Sequence, residues 1–134
     1  MSLMNRKTVR GALVGAALLG LVGTTPAYAE GSFNSYIGGW QVGGESRRWD
    51  DRNSDDVATL VGFGGCSTDS GSGFSSASLT LYKDVFGPDE SQGTRTNTCN
   101  YVSWGDKASA KYYFKLTGLK FGQYLTVQDV YTQY

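Results

Sequence analysis

Apolar side chains recur at every second position in several short stretches of this chain. The clearest case is residues 111–117, where Tyr112, Phe114 and Leu116 fall on one face. A repeat of two is that of a β-strand, and no window after residue 30 has the repeat of an amphipathic helix. Strands are predicted in residues 57–66, 78–83, 111–117 and 124–131, with shorter candidates at 47–50 and 100–104.

Clusters of glycine, aspartate and serine separate these stretches. They predict loops at residues 69–73 and 87–93, and tight connections at 105–106 and 118–122. About six short strands joined by such turns, and rich in aromatic side chains, are typical of an antiparallel sandwich. We therefore expect an all-β fold, a small antiparallel β-sandwich of immunoglobulin-like size.

The first 29 residues have the layout of a secretory signal peptide. Arg6, Lys7 and Arg10 precede an uncharged apolar stretch at 11–23, and small residues occupy the positions of an A-x-A cleavage site. The apolar stretch is shorter than the roughly 20 residues that a membrane-spanning helix needs. We expect cleavage after Ala29 and a secreted, extracellular protein of residues 30–134.

Composition excludes several classes of function for residues 30–134. They carry 9 basic and 12 acidic side chains, which argues against nucleic acid and against an anionic membrane as partner. The chain has no histidine, so catalysis by Ser-His-Asp, Cys-His or zinc-binding H-E-x-x-H motifs is excluded. We expect no enzyme, no metal site and no cofactor.

Cys66 and Cys99 are the two cysteines of the chain. In an oxidising compartment the expected state of such a pair is one intramolecular disulfide. Closing a loop of 33 residues stabilises the fold by roughly 3.5 kcal/mol in the chain-entropy model.

Carboxylates are the remaining candidates for catalysis or metal binding. Residues 45–56 form a dense charged cluster, but it lacks the order of a calcium loop and contains three competing arginines. A solvated, internally paired segment is therefore favoured. A glycosidase would need a pair of carboxylates at a set separation. The candidates for such a pair are Asp84, Asp89, Glu90, Asp106 and Asp129.

The segment of residues 30–45 stands apart because it is rich in glycine and in large apolar side chains. Those side chains are Phe33, Tyr36, Ile37, Trp40 and Val42. One interpretation is the first strand of the sandwich. The other is a flexible, extended arm, preceding a sandwich domain of residues 46–134, that adds a strand to another protein.

Two further patterns suggest binding. Arg47, Arg48 and Trp49 combine the residue types that dominate binding hot spots, so they predict an interface anchor; stacking within the domain is the alternative. The tripeptide is also compatible with an inhibitor of a hydrolase. Exposed aromatics such as Trp104 would suit a carbohydrate-binding module, which makes a glycan the secondary choice of ligand.

Several pieces of the sequence together carry a family resemblance. They are the aromatic segment 33–44 and the motifs Ser46-Arg-Arg-Trp-Asp50, Gly64-Gly-Cys66, Lys83-Asp-Val-Phe-Gly-Pro-Asp89, Trp104-Gly-Asp106 and Tyr113-Phe-Lys-Leu116. The chain resembles the adaptor subunits of Streptomyces umbrella toxin particles, which are large secreted antibacterial assemblies.

The resemblance implies an adaptor that links a lectin-bearing spoke protein to a ring of repeats on a long toxin stalk. It implies that the N-terminal segment enters a cleft of the spoke protein as a donated strand. The side chains at the position of that strand are Phe33, Tyr36, Ile37, Trp40 and Val42. The domain from about Ser46 onward would face the ring.

Overall fold

The computed structural model describes residues 31–134; the predicted signal peptide, residues 1–29, lies outside the described residues. Eight strands form two four-stranded antiparallel sheets. The strands are β1 (Ser32–Trp40), β2 (Trp49–Asp51), β3 (Thr59–Thr68), β4 (Ser76–Asp84), β5 (Glu90–Asn97), β6 (Tyr101–Gly105), β7 (Ala110–Lys120) and β8 (Leu125–Gln133). No helix occurs in this range, and hence none that could cross a membrane.

The order in the first sheet is β1-β8-β3-β6 and in the second β2-β7-β4-β5. The predicted period-two faces form the core between them. In β7, Tyr112, Phe114 and Leu116 are buried, and Leu79 and Leu81 of β4 pack in the same cluster. The expected all-β sandwich fold is confirmed.

The expected disulfide is confirmed between Cys66 of β3 and Cys99 in the turn from β5 to β6, with their Cα atoms 6.0 Å apart. The turn is organised by Asn97, whose buried side-chain oxygen accepts hydrogen bonds from the backbone N–H groups of Cys99 at 2.8 Å and Asn100 at 3.0 Å. The disulfide therefore ties β3 to a turn of defined shape, and it is compatible with an extracellular protein.

Two predicted loops are shorter than expected. β5 begins at Glu90, inside the loop predicted at 87–93, and β7 continues to Lys120, through Gly118. Gly118 pairs with Ser78 of β4, where a β-carbon would lie 3.1 Å from the Ser78 hydroxyl oxygen. This glycine therefore permits close packing of two strands and does not end one.

The N-terminal segment forms a strand of the sandwich. β1 pairs antiparallel with β8, from Ser32 opposite Gln133 to Trp40 opposite Leu125. The chain then crosses to the second sheet, where Gly43 and Ser46 donate backbone hydrogen bonds to β7 carbonyl oxygens at 2.7 and 2.9 Å. The structure therefore does not separate an arm from a domain at residue 45, because residues 32–46 pair with strands of both sheets.

Candidate functional site

The five large apolar side chains of the N-terminal segment have three different environments. Ile37 is 1% exposed and belongs to the core. Phe33 and Trp40 are partly buried against it, whereas Tyr36 and Val42 are 75% and 57% exposed. Of the residues expected to contact a partner, Tyr36 and Val42 are thus accessible, and Ile37 is not.

β1 lies at an edge of the first sheet. It pairs with β8 on one side, and within residues 31–134 no strand pairs with its other side. The pairing is regular from Ser32 to Ser35, and register shifts follow on both sides of Ile37. Bulges of this kind protect an edge from unspecific pairing. The regular end of β1 therefore presents a short unpaired backbone edge.

Arg47, Arg48 and Trp49 lie together, but they do not have the same role. Trp49 is 3% exposed and packs in the core against Phe33, Tyr112 and Tyr134. It faces inward because it is the first residue of β2, whose alternate residues Trp49 and Asp51 are buried. The expectation that Trp49 projects as an interface anchor is thereby corrected, and the two arginines are exposed.

These residues line an open groove of about 440 Å³, which we call the arginine groove. Its lining includes Arg47, Arg48, Arg52, Trp49, Ser54 and Tyr134. The Arg47 guanidinium lies over the Phe33 ring, 4.1 Å from its centroid. Arg47 therefore stacks within the domain, which is the alternative that the sequence left open, and its guanidinium group is also accessible to solvent.

Arg48 is held by two carboxylates and a ring. Its Nη1 donates to Glu45 Oε1 at 2.9 Å and its Nε to Asp84 Oδ2 at 3.3 Å, and the guanidinium lies 3.8 Å from the centroid of Tyr113. The hydrogen bond to Glu45 is the main cause of the raised pKa of Arg48, and Asp84 adds to it. The charge of Arg48 is thus compensated inside the protein.

Asp89 is also committed to an internal contact. The Tyr113 hydroxyl donates to Asp89 Oδ2 at 2.5 Å, and the Val85 N–H donates to Asp89 Oδ1 at 3.2 Å. The bond from Tyr113 holds the pKa of Asp89 below its ordinary value, and burial raises the pKa of Tyr113. These bonds fix the loop between β4 and β5, which exposes Phe86 completely.

The carboxylates considered for catalysis are thus either far apart in the fold or bound to other side chains of the protein. Asp84 and Asp89 meet at the Arg48–Tyr113 cluster, while Asp129 lies on β8 in the other sheet. Glu90 begins β5 and Asp106 follows β6. In residues 31–134, no group of three or more Cys, Asp or Glu side chains is placed to hold a metal ion.

The tryptophans do not form an exposed row. Trp104 is 5% exposed and its indole N–H donates to the Gly93 carbonyl oxygen at 2.8 Å, so the expectation of a sugar platform on Trp104 is corrected. The accessible aromatics include Tyr101, which lies across Gly62 and meets the Tyr131 ring edge-on at 6.5 Å. Alternation within β6 could have located Tyr101, but not its position over a glycine of β3.

No protein-family model, curated protein or solved structure matches this chain.

Proposed function

We propose that the protein is a secreted, non-catalytic adaptor that joins subunits of a larger extracellular antibacterial toxin assembly through its N-terminal strand. The resemblance to umbrella toxin adaptors supplies the type of assembly, with a lectin-bearing spoke protein and a repeat-containing stalk as partners. The leader-like first 29 residues and the disulfide support export.

The observation that carries this proposal is the unpaired edge of β1 with Tyr36 exposed beside it. A strand edge binds an extended segment of another protein through backbone hydrogen bonds, and the neighbouring side chains set the register. The four residues from Ser32 to Ser35 pair regularly with β8, so their outer edge is straight enough for such pairing. Tyr36 would supply apolar contact area at the end of that edge.

The test is affinity purification of the tagged protein from its native culture medium, followed by mass spectrometry. We expect a large repeat-containing protein and a lectin-like protein to co-purify with the wild type and to be lost with Tyr36→Lys. Tyr101→Lys is the matched control, because Tyr101 is a similarly exposed tyrosine on β6, the opposite edge of the same sheet. Recovery of the wild-type protein alone would refute the proposal.

A second variant separates two ways in which β1 can act. Ser32 and Gln133 are paired across β1 and β8, so Ser32→Cys with Gln133→Cys can lock the two strands together. If a partner strand adds to the edge of β1, the locked protein still binds. If β1 leaves its own sheet and is donated to the partner, the lock abolishes binding, while either single cysteine variant retains it.

A carbohydrate-binding module is the second candidate, and Tyr101 is the observation that favours it. Tyr101 is 66% exposed and its ring lies over Gly62, which gives a sugar ring an accessible aromatic side chain on which to stack. On a glycan array, this function predicts a signal that Tyr101→Ala removes and Tyr36→Lys leaves unchanged. The adaptor predicts the reverse dependence in co-purification.

A further inference from the structure

The arginine groove concentrates positive charge on an otherwise acidic protein. Three of the four arginines in residues 31–134 line it, although this part of the chain carries 9 basic and 11 acidic side chains. Like charges repel one another, so their collection in one groove has an electrostatic cost unless anions offset it. The guanidinium groups of Arg47 and Arg48 differ in whether carboxylates of the protein offset their charge.

Arg48 is offset by Glu45 and Asp84, as described above. The one acidic residue of the groove lining, Asp50, lies 3.8 Å from the Lys111 ammonium group, to which it is paired. The Arg47 guanidinium forms no ion pair or hydrogen bond with any residue in 31–134. The positive charge of Arg47 is therefore uncompensated within the described part of the chain.

The Arg47 side chain is nevertheless positioned. Its guanidinium lies 4.1 Å from the centroid of Phe33, and Phe33 is itself packed on the buried Trp49 with ring centroids 5.8 Å apart. Stacking uses the face of the guanidinium plane and leaves its edge, with the N–H donors, available. A donor group held in place in this way loses less conformational entropy when it binds a ligand.

We propose that the arginine groove binds an acidic segment of another protein, with a carboxylate held by Arg47. The planar guanidinium edge matches a carboxylate in a two-bond arrangement. The groove is open, and its volume of about 440 Å³ is in the range that accommodates a few side chains of an extended chain.

A protein segment fits this groove better than an acidic sugar chain. Sugar rings bind by stacking on exposed aromatic faces, and the Trp49 ring at this groove is buried. The accessible ring of Tyr101 lies on β6, at the far edge of the other sheet. Binding in the arginine groove does not require the free edge of β1. The two proposals, the groove site and the adaptor function, can therefore be tested separately.

The test is an NMR titration of the mature protein with a capped hexaglutamate peptide. The mature protein has three tryptophans and four arginines, so the indole N–H of Trp49 and the Nε–H of Arg47 are resolvable reporters. We expect saturable shifts at both, weakened by added salt because the contact is ionic. Arg47→Gln is expected to lower the affinity about tenfold or more, because a charge-assisted hydrogen-bond pair is lost.

Two variants make the titration decisive. Lys120→Gln removes one positive charge at the opposite end of β7 and is expected to leave the affinity unchanged. Arg47→Lys retains the charge but not the two-bond geometry, and is expected to bind with intermediate affinity. Circular dichroism checks that each variant is folded.

The proposal is overturned if the peptide causes no saturable shift at Trp49 and Arg47, or if Arg47→Gln and Lys120→Gln bind it equally. It is also overturned if polygalacturonate binds at these reporters and the peptide does not, because the ligand would then be an acidic polysaccharide. Equal responses to sodium sulfate and to the peptide at matched ionic strength would reduce the site to a general anion site and would refute the assignment to a protein segment.

Discussion

At the scale of single residues, Asp69 shows how one side chain joins two loops. Its Oδ1 accepts hydrogen bonds from the backbone N–H groups of Gln123 at 2.8 Å and Tyr124 at 3.0 Å, across the loops that follow β3 and β7. These bonds favour the charged form and hold the pKa of Asp69 below its ordinary value, with Tyr124 the larger contribution. Protonation of the Asp69 carboxylate is therefore expected to lower the stability of the fold.

We expect Asp69→Asn to lower the urea midpoint near pH 7 and to lower it less near pH 3. Since the folded-state pKa is the lower one, the ionised Asp69 stabilises the fold above its unfolded-state pKa of about 3.9. That contribution is lost as the pH falls through the folded-state pKa, and a protonated aspartate then resembles asparagine. Unfolding in urea followed by tryptophan fluorescence at about pH 7 and about pH 3 measures both differences.

Asp129→Asn is the control for this experiment. Asp129 is exposed on β8, and its carboxylate forms no hydrogen bond or ion pair with residues 31–134. The substitution Asp129→Asn removes one carboxylate without removing a loop contact. The urea midpoint of this variant should therefore match that of the wild type near pH 7. A destabilisation by Asp69→Asn that is the same at both pH values would contradict the argument.

The roles of individual residues at the site were only partly readable from the sequence. The sequence identified Arg47 and Arg48 as binding candidates, and both are exposed. It did not reveal that Trp49 faces the core, because a strand of three residues is too short to show an alternation. The stacking of Arg47 on Phe33 joins β1 to the segment before β2, and a contact between elements has no local signal.

At the scale of elements, alternation revealed the strands whose two faces differ. In β3, β4 and β7 one face is buried and the other meets solvent or a neighbouring side chain. Alternation does not predict β5, because β5 lies at a sheet edge and Asn97 is its one buried residue. Alternation does not decide whether β1 is a strand of the sandwich, because register shifts on both sides of Ile37 interrupt its period of two.

In the loop between β7 and β8, the exposed aromatic residue Phe121 has a backbone conformation that favours glycine. Phe121 has φ of +60° and is 52% exposed, and Gly122 follows with φ of +103°. A bulky side chain at positive φ costs about 1 kcal/mol or more, whereas glycine and asparagine tolerate it. Nothing in the sequence indicates the positive φ of Phe121, because glycine marks such positions and phenylalanine does not.

We expect Phe121→Asn to be more stable than Phe121→Ala by about 0.5–1 kcal/mol, since both lose the half-covered ring but asparagine tolerates positive φ better than alanine. The contact between Lys120 and the Phe121 ring, 5.3 Å from ammonium to centroid, is also lost but is weak at an exposed site. Phe121→Ala is the matched control, because it removes the ring and retains the β-carbon. Urea unfolding that ranks Phe121→Ala at or above Phe121→Asn would show that the backbone is not strained.

At the scale of the whole molecule, the N-terminal twenty or so described residues close the sandwich. β1 completes the first sheet beside β8, and residues 43–51 complete the second beside β7. Gly31 and Tyr134 exchange two backbone hydrogen bonds of 3.0 Å, so both ends of the described chain meet. The segment that the adaptor proposal assigns to a partner is therefore also a structural element of the isolated protein.

Deletion of residues 30–40 from the mature protein is accordingly expected to abolish cooperative folding. Loss of the buried Ile37 alone costs more than its truncation to alanine, which is typically about 2–5 kcal/mol. The contact of Trp40 with Phe114 and the pairing with β8 are lost as well. The sum approaches the entire stability of about 5–15 kcal/mol that domains possess.

Circular dichroism and urea unfolding of the deleted protein measure this effect, and a protein that begins at Gly31 is the control with β1 intact. A synthetic peptide of residues 31–42, added in trans, should restore a cooperative transition, because it can pair with the vacated edge of β8 and refill the site of Ile37. Such rescue would establish that β1 is exchangeable between chains, as strand donation requires. A deleted protein that unfolds cooperatively with an unchanged midpoint would instead make β1 a dispensable arm.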